Sequence, residues 1–386
     1  MVSATTKPAR APIAREKTTR LVARALGMTP EALDAGFRPA TLADLPALLA
    51  LRRRVLGDAL VWDDERYVRW RYLPFPGERG LATCWVCTRG DELVGMIGTE
   101  ALWLRAGDLR REVHAAMDLM VQPELAGSGL GVWVNQTVCE RLGCVLAIGS
   151  NPNSKGMLAR TFDALPDRRS YTHPLHFAHF MAKRLSPGPL AWLASHLADG
   201  AMLMLRSVRL WLAAPGVSVV QVTHLGPEVA DWLPSTAQSQ RVEVERDTDT
   251  LTHRLLRNPR VPCTVWLARQ GGQLVGLMAT RRVPIGGGRH AVQVMDAVLD
   301  TRCRRPALRG LLARVTAHAF RGGADYLTWT VYDPALEAEL QPLLFRPKSH
   351  PFETMAWVCP DDAFRQAVLA RSGWTLSDIH TDRDSA

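Results

Sequence analysis

Asp118-Leu119-Met120-Val121-Gln122-Pro123-Glu124-Leu125-Ala126-Gly127-Ser128-Gly129-Leu130-Gly131-Val132-Trp133 decides how this chain is read. An apolar strand ends at Val121, a glycine-rich turn follows, and a helix begins. Small residues let a backbone approach a ligand closely. Successive N–H groups at a helix N-terminus, with the helix dipole behind them, bind phosphate oxygens. No Gly-Lys-Ser/Thr follows, so this is not a nucleotide P-loop. The strands before it form a meander and not a βαβ unit, so it is a poor dinucleotide fingerprint. By spacing alone it could also be a glycine-rich turn with no ligand.

Working outward, the stretch before the turn repeats later in the chain. Trp85-Val86-Cys87-Thr88-Arg89-Gly90-Asp91-Glu92-Leu93-Val94-Gly95-Met96-Ile97 matches Trp266-Leu267-Ala268-Arg269-Gln270-Gly271-Gly272-Gln273-Leu274-Val275-Gly276-Leu277-Met278. Each reads as strand, glycine turn, strand. Ala116-Met117-Asp118 matches Val294-Met295-Asp296. Tyr67-Val68-Arg69-Trp70-Arg71 loosely matches Leu251-Thr252-His253-Arg254-Leu255, and Phe162 and Phe345 close the two copies. The order agrees throughout, which points to a duplicated domain. In the first copy, helices are expected over 42–56 and 64–72, with Thr41 and Asp44 at the first helix start. Strands are expected at 82–88, 92–104 and 113–121, then a helix over 128–142 and a strand over 144–149.

The 386 residues suit two domains. The net charge is +9, from 47 lysines and arginines against 38 acids, and only Lys7, Lys17, Lys155, Lys183 and Lys348 are lysines. The surplus is spread along the chain. It reads as base composition and not as a nucleic-acid footprint. The first ~20 residues lack the apolar core of a secretory signal and read as a loose basic tail. The seven cysteines show no disulfide framework, which suggests a reducing, cytoplasmic setting. Cys84 and Cys87, three apart on a strand, point to opposite faces and should not share a metal. The same argument applies to His173, His176 and His179, so no metal site is expected. Leu190 to Ala214 is strongly apolar, but Asp199, Arg206 and Arg209 keep it below a ~18-residue transmembrane run. It reads either as a connecting helix buried between the copies, the preferred reading, or as an amphipathic helix on a membrane surface.

The order helix, helix, hairpin, "DLMVQPELAGSGLG" and helix resembles the GNAT acyltransferase family. The resemblance implies an α/β (α+β) fold of two tandem domains, each a mixed, mostly antiparallel sheet flanked by helices. The expected organisation is a tail and short helix over 1–36 and a domain with the acyl-CoA loop over 37–183. A linker with an apolar helix over 184–216 and a degenerate second domain over 217–386 follow. The family's Val-x-Pro and Arg/Gln-x-x-Gly-x-Gly/Ala pattern carries over onto Val121, Ala126, Gly127, Ser128, Gly129, Leu130 and Gly131. The glycines would cradle the CoA pyrophosphate and Val121 would line the pantetheine arm. Ala126 departs from the usual Arg or Gln. Asn151 matches an asparagine near the acyl end, and Leu158 stands where a tyrosine general acid is usual. In the second copy Asp300-Thr301-Arg302-Cys303-Arg304-Arg305-Pro306 replaces the glycines. The Gly286-Gly287-Gly288 run reads as a turn.

The implied activity is acetyl (acyl) transfer from acetyl-CoA to an amine, without a metal. An ammonium acceptor must first lose a proton to a base. Asp118 is the first candidate and Glu100 the second, although the recurrence of Asp296 also suits a structural carboxylate. Trp62, Asp63, Asp64, Trp70 and Tyr72 fall in the acceptor region. Trp70-Arg71 and the terminal "GWTLSDIHTDRDSA" look like double-GNAT proteins of bacterial polysaccharide synthesis, which implies an amino-sugar acceptor. The alternatives are a Fem-like transferase using aminoacyl-tRNA and a non-catalytic CoA-binding regulator.

Overall fold

The structure, a computed structural model, describes residues 15–57, 65–72, 83–148, 156–158, 162–165, 168–176, 189–212, 214–233, 241–260, 263–348, 355–371 and 373–380. The first copy begins with helices Arg15–Leu26 and Pro30–Ala35 and strand β1 (Phe37–Pro39). Helices Leu45–Leu56 and Glu65–Tyr72 follow, then β2 (Cys84–Arg89), β3 (Glu92–Ala106) and β4 (Leu109–Val121). Helix Leu130–Leu142, β5 (Val145–Ile148), β6 (Asp163–Leu165) and β7 (Arg169–Pro174) complete it. Helix Pro189–Leu212 leads to β8 (Val217–Val222), helix Pro227–Trp232, β9 (Val242–Val244) and a helical turn over 248–256. Next come β10 (Thr264–Gln270), β11 (Gln273–Gly286), β12 (Arg289–Leu299) and helix Arg304–Arg321. The chain closes with β13 (Tyr326–Val331), helix Pro334–Leu340, β14 (Arg346–Pro347), β15 (Met355–Val358) and helix Asp362–Leu369.

Local chemistry explains these boundaries. The Thr41 N–H and hydroxyl both donate to the Asp44 carboxylate, at 2.7 and 2.9 Å, where the first-copy helices begin. The Arg38 guanidinium and the Thr41 bonds overcome partial burial and hold that carboxyl at about 2. Gly90 and Gly271–Gly272 take positive φ at the two matching hairpin turns, as does Gly286–Gly288 at the turn between β11 and β12. Cys84 and Cys87 pack into different cores, with helix Leu45–Leu56 and with helix Leu130–Leu142 respectively, so they do face apart. Burial pushes the Cys87 thiol up to about 12.

Two mixed sheets result, in the order β1-β2-β3-β4-β5-β15-β6, with β9 on β3, and β14-β7-β13-β12-β11-β10-β8. The copies exchange strands. β7 from the end of the first copy pairs antiparallel with β13 of the second. β15 from the end of the second enters the first sheet between β5 and β6. A shared core joins Leu102 and Leu146 to Val242, Trp357, Phe364 and Trp374. The matching segments of the two copies also meet. Trp70 stacks on His253 at 4.9 Å, and each donates to the other's backbone carbonyl at 3.2 Å.

Three expectations are corrected. The tail is shorter than read, because a helix starts at Arg15 and buries Val22, Ala23 and Leu26. The cysteines do not all stay free: inserting β15 sets Cys359 beside Cys144 in a disulfide across 215 residues. That pairing depends on the strand exchange, so spacing along the chain could not reveal it. The Pro189–Leu212 helix is not buried between the copies. Asp199 is buried, but Leu197 and Met204 are 66% and 71% exposed. No helix among the described residues is long and apolar enough to cross a membrane.

Candidate functional site

The glycine stretch follows directly on β4. Among the described residues, β4 pairs in parallel with β5 over His114–Ala116 and Val145–Ala147, and β5 is described only to Ile148. On its other side β4 carries a bulge. Pairing with β3 jumps from Gly98–Met117 to Met96–Met120, so Asp118 and Leu119 together face Ile97. Asp118 takes a φ of 48° there, a left-handed conformation that aspartate tolerates better than most side chains.

The loop then turns through Pro123–Leu125, and Gly127 and Gly129 adopt φ of 83° and 86°. A side chain at either position would be strained. Gly131 differs, because a Cβ there would meet Val121 at 3.6 Å, an ordinary contact. The Leu130 N–H is capped by the Ser128 hydroxyl at 3.2 Å, and the Trp133 N–H by the Gly129 carbonyl at 3.0 Å. The Gly131 and Val132 N–H groups have no partner among the described residues. Free N–H groups and a helix dipole just beyond the end of β4 form a seat for an anion. Helix Arg15–Leu26 walls this seat: Trp133 Nε1 donates to Thr19 Oγ1 at 3.0 Å, and Val22 packs beside Gly129. Ala126 is exposed at its edge, and Val121, the last residue of β4, is half-buried. Asn151, Trp62, Asp63, Asp64 and His179 lie outside the described residues. Leu158 is buried in the core of this copy.

The two candidate bases have different surroundings. The Tyr72 hydroxyl donates to the Asp118 carboxylate and accepts from Arg52 at 2.8 Å. Arg52 and Tyr72 are almost fully buried. Burial and the Asp118 charge hold the Tyr72 phenol well above its usual range, so it stays protonated and donating. Glu100 is instead gripped by Arg254 of the second copy and lies 3.7 Å from Arg71. The sequence places Tyr72 in the acceptor region but does not tie it to Asp118, and it does not single out Arg52, because an arginine at helical spacing reads as a solvated face. Nor could it find Arg254, a partner that only the packing of the two copies supplies.

The second copy opens between its corresponding strands but lacks the seat. β12 and β13 pair only over Val292–Val294 and Leu327–Trp329, with a bulge at Met295. A cavity of about 280 Å³ fills the opening, lined by Ala297–Leu299, Trp329–Val331, Glu243 and Trp374. At its edge Arg304 and Arg241 converge on Asp333, at 2.8 and 2.7 Å. Charged side chains thus stand where the first copy leaves backbone bare. Burial raises the Glu243 carboxyl to about 7, despite the nearby Arg105, Arg246 and Arg241 charges. Asp296, the counterpart of Asp118, is fully enclosed and held by Arg246 at 2.8 and 2.9 Å. Burial opposes its ionisation, but the Arg246 charge and hydrogen bonds prevail and leave it below its ordinary value. His173 stacks on Phe345, whereas His176 meets Asp199 and Phe320, so these two histidines have separate partners.

The bulged first sheet with its glycine-capped helix, and the second mixed sheet beside it, share the fold of solved GCN5-related N-acetyltransferases. A GCN5-related N-acetyltransferase from Anabaena variabilis matches with a TM-score of 0.56 at 12% identity, over 83% of this chain and 71% of that one. A conserved protein of unknown function from Enterococcus faecalis, described as a probable N-acyltransferase, matches at 0.53 and 10%, over 83% and 71%. Saccharomyces cerevisiae N-myristoyltransferase with bound myristoyl-CoA matches at 0.52 and 12%, over 84% and 83%. No protein-family model and no curated protein matches the sequence.

Proposed function

We propose that the chain is an acyl-CoA-dependent N-acyltransferase, probed most simply with acetyl-CoA, whose thioester site lies in the first copy. The observation that carries this reading is the pair of free N–H groups of Gly131 and Val132 at the glycine-capped helix start that follows β4. A pyrophosphate fits that helix end, and a pantetheine arm would run along the end of β4, where a strand edge offers backbone partners. Gly127, Ser128, Gly129, Leu130 and Gly131 form that end, Val121 lines the arm, and Ala126 offers only its backbone. Asn151 is proposed at the acyl end.

Asp118 serves as the base. It receives the proton of the ammonium acceptor, directly or through water, and the freed amine attacks the thioester carbonyl. A C–N bond forms, the C–S bond breaks, and the departing thiolate takes up a proton to become free CoA. Tyr72 and Arg52 position the Asp118 carboxylate. Glu100, paired with Arg254 and Arg71, anchors the copies to each other. The acceptor is an amine, and the sequence resemblance makes an amino sugar the first class to try. The test is release of free CoA thiol from acetyl-CoA across a panel of amino sugars and simple amines. Turnover that falls about 100-fold or more in Asp118→Asn supports the assignment. Undiminished turnover in that variant removes Asp118 as base. CoA binding without turnover on any amine favours a non-catalytic role.

A further inference from the structure

The Pro189–Leu212 helix has 24 residues and spans about 36 Å. Its one acid, Asp199, is turned inward and buried, with its carboxylate 3.2 Å from His176 Nδ1. The other nitrogen of that imidazole meets the Phe320 carbonyl at 3.3 Å, which ties the helix to helix Arg304–Arg321. On the side away from Asp199 lie Leu193, Leu197, Met204 and Val208, all exposed, with Leu205 beside them. Spacings of four, seven and four residues set the first four in one stripe. Ala194 and Ala201 fill positions on the same side and are also exposed. None of the described residues covers these side chains, although a soluble surface rarely leaves so long an apolar stripe bare.

Charge identifies the occupant. The supporting helix Arg304–Arg321 carries five arginines and no acid. Arg305, Arg314 and Arg321 are exposed and have no carboxylate partner among the described residues. The apolar stripe offers no negative charge, because Asp199 points inward. Two copies meeting through this face would bring two arginine-rich helices together, and their like charges would repel. An anionic bilayer would take the apolar side chains among its acyl chains and neutralise the arginines at its headgroups. We propose that this helix docks the protein on an anionic membrane surface, lying in the interface without crossing it.

The test uses the full chain and co-sedimentation with vesicles of phosphatidylcholine alone or mixed with phosphatidylglycerol. The expected result is binding to the mixed vesicles, weakened by added salt, and at least tenfold weaker in the double variant Leu197→Glu/Met204→Glu. Both positions are exposed, so the variant should keep the native circular dichroism and thermal midpoint. Arg314→Gln/Arg321→Gln, which leaves the stripe intact, should weaken binding to mixed vesicles while reducing its salt sensitivity. Native protein that stays in the supernatant overturns the proposal, as does equal binding to neutral and anionic vesicles. A native dimer that the Glu variant converts to monomer, with no vesicle binding, assigns the face to a second copy instead.

Discussion

Changing Asp296 to asparagine separates a structural carboxylate from its counterpart Asp118. Asp296 is fully enclosed, and its partner Arg246 is only 8% exposed at the side chain. Asparagine keeps the shape and can still accept from the Ala297 N–H, now 2.9 Å from the carboxylate. It leaves the buried guanidinium without its counter-charge, which costs about 3–5 kcal/mol. Urea titration of native and variant protein reads this as a shifted midpoint at similar slope. The native carboxyl lies below its ordinary value. Its contribution is therefore full above about pH 4 and lost as pH falls through the lowered value, so the native–variant gap should close in acid. Asp118→Asn disturbs a partly exposed residue and should cost about 1 kcal/mol or less in stability while turnover falls. An Asp296→Asn loss below about 1 kcal/mol would refute the reasoning, and so would a gap that widens as pH falls.

Three further outcomes follow from other parts of the molecule. Burial raises Glu243 to about 7 from 4.5, so the native state gains a proton relative to the unfolded chain between those values, and stability falls as pH rises through them; Glu243→Gln should stabilise by at most about 3 kcal/mol at pH 8 and be neutral near pH 4, by thermal melting at each pH. Alkylation of unfolded, unreduced protein should mark five cysteines, Cys84, Cys87, Cys139, Cys263 and Cys303, and leave Cys144 and Cys359 unmarked until reduction, as read by intact mass. Tyr72→Phe removes the hydroxyl that bridges Asp118 and the buried Arg52; it should cost about 1–3 kcal/mol in stability and lower kcat while leaving acetyl-CoA affinity unchanged.

The parts of this fold that local chemistry determines were readable from the chain. Alternating apolar residues on either side of Gly90 and Gly271–Gly272 specify both hairpins, and the 116–118 and 294–296 matches fall on corresponding bulges. Helix starts at Thr41 and after Gly129 follow from capping and glycine geometry. The exchange of β7 and β15 was not readable, because a strand's own residues do not say which sheet it joins. Everything that depends on the exchange was hidden with it, including the Cys144–Cys359 disulfide and the shared core around Trp357 and Trp374. Asp118 and the glycine stretch could be located in sequence, but not their partners. Arg52, Tyr72 and Arg254 reach the acidic residues through tertiary contacts between helices and between copies. The apolar run at 190–214 was legible as a helix, but its exposure was not, since a buried and a membrane-facing stripe share one period.

The central claim is that acyl-CoA sits on the first-copy glycine loop. It is tested most directly by calorimetric titration of acetyl-CoA into native protein and into Gly131→Leu. Gly131 has an ordinary φ, and a Cβ there would make only ordinary contacts with Val121 and Leu119, so the variant should stay folded while its bulkier side chain crowds the helix end. The account predicts micromolar binding at one site per chain that the variant loses with its melting temperature nearly unchanged. Equal binding by both proteins, or none by the native chain, would contradict it.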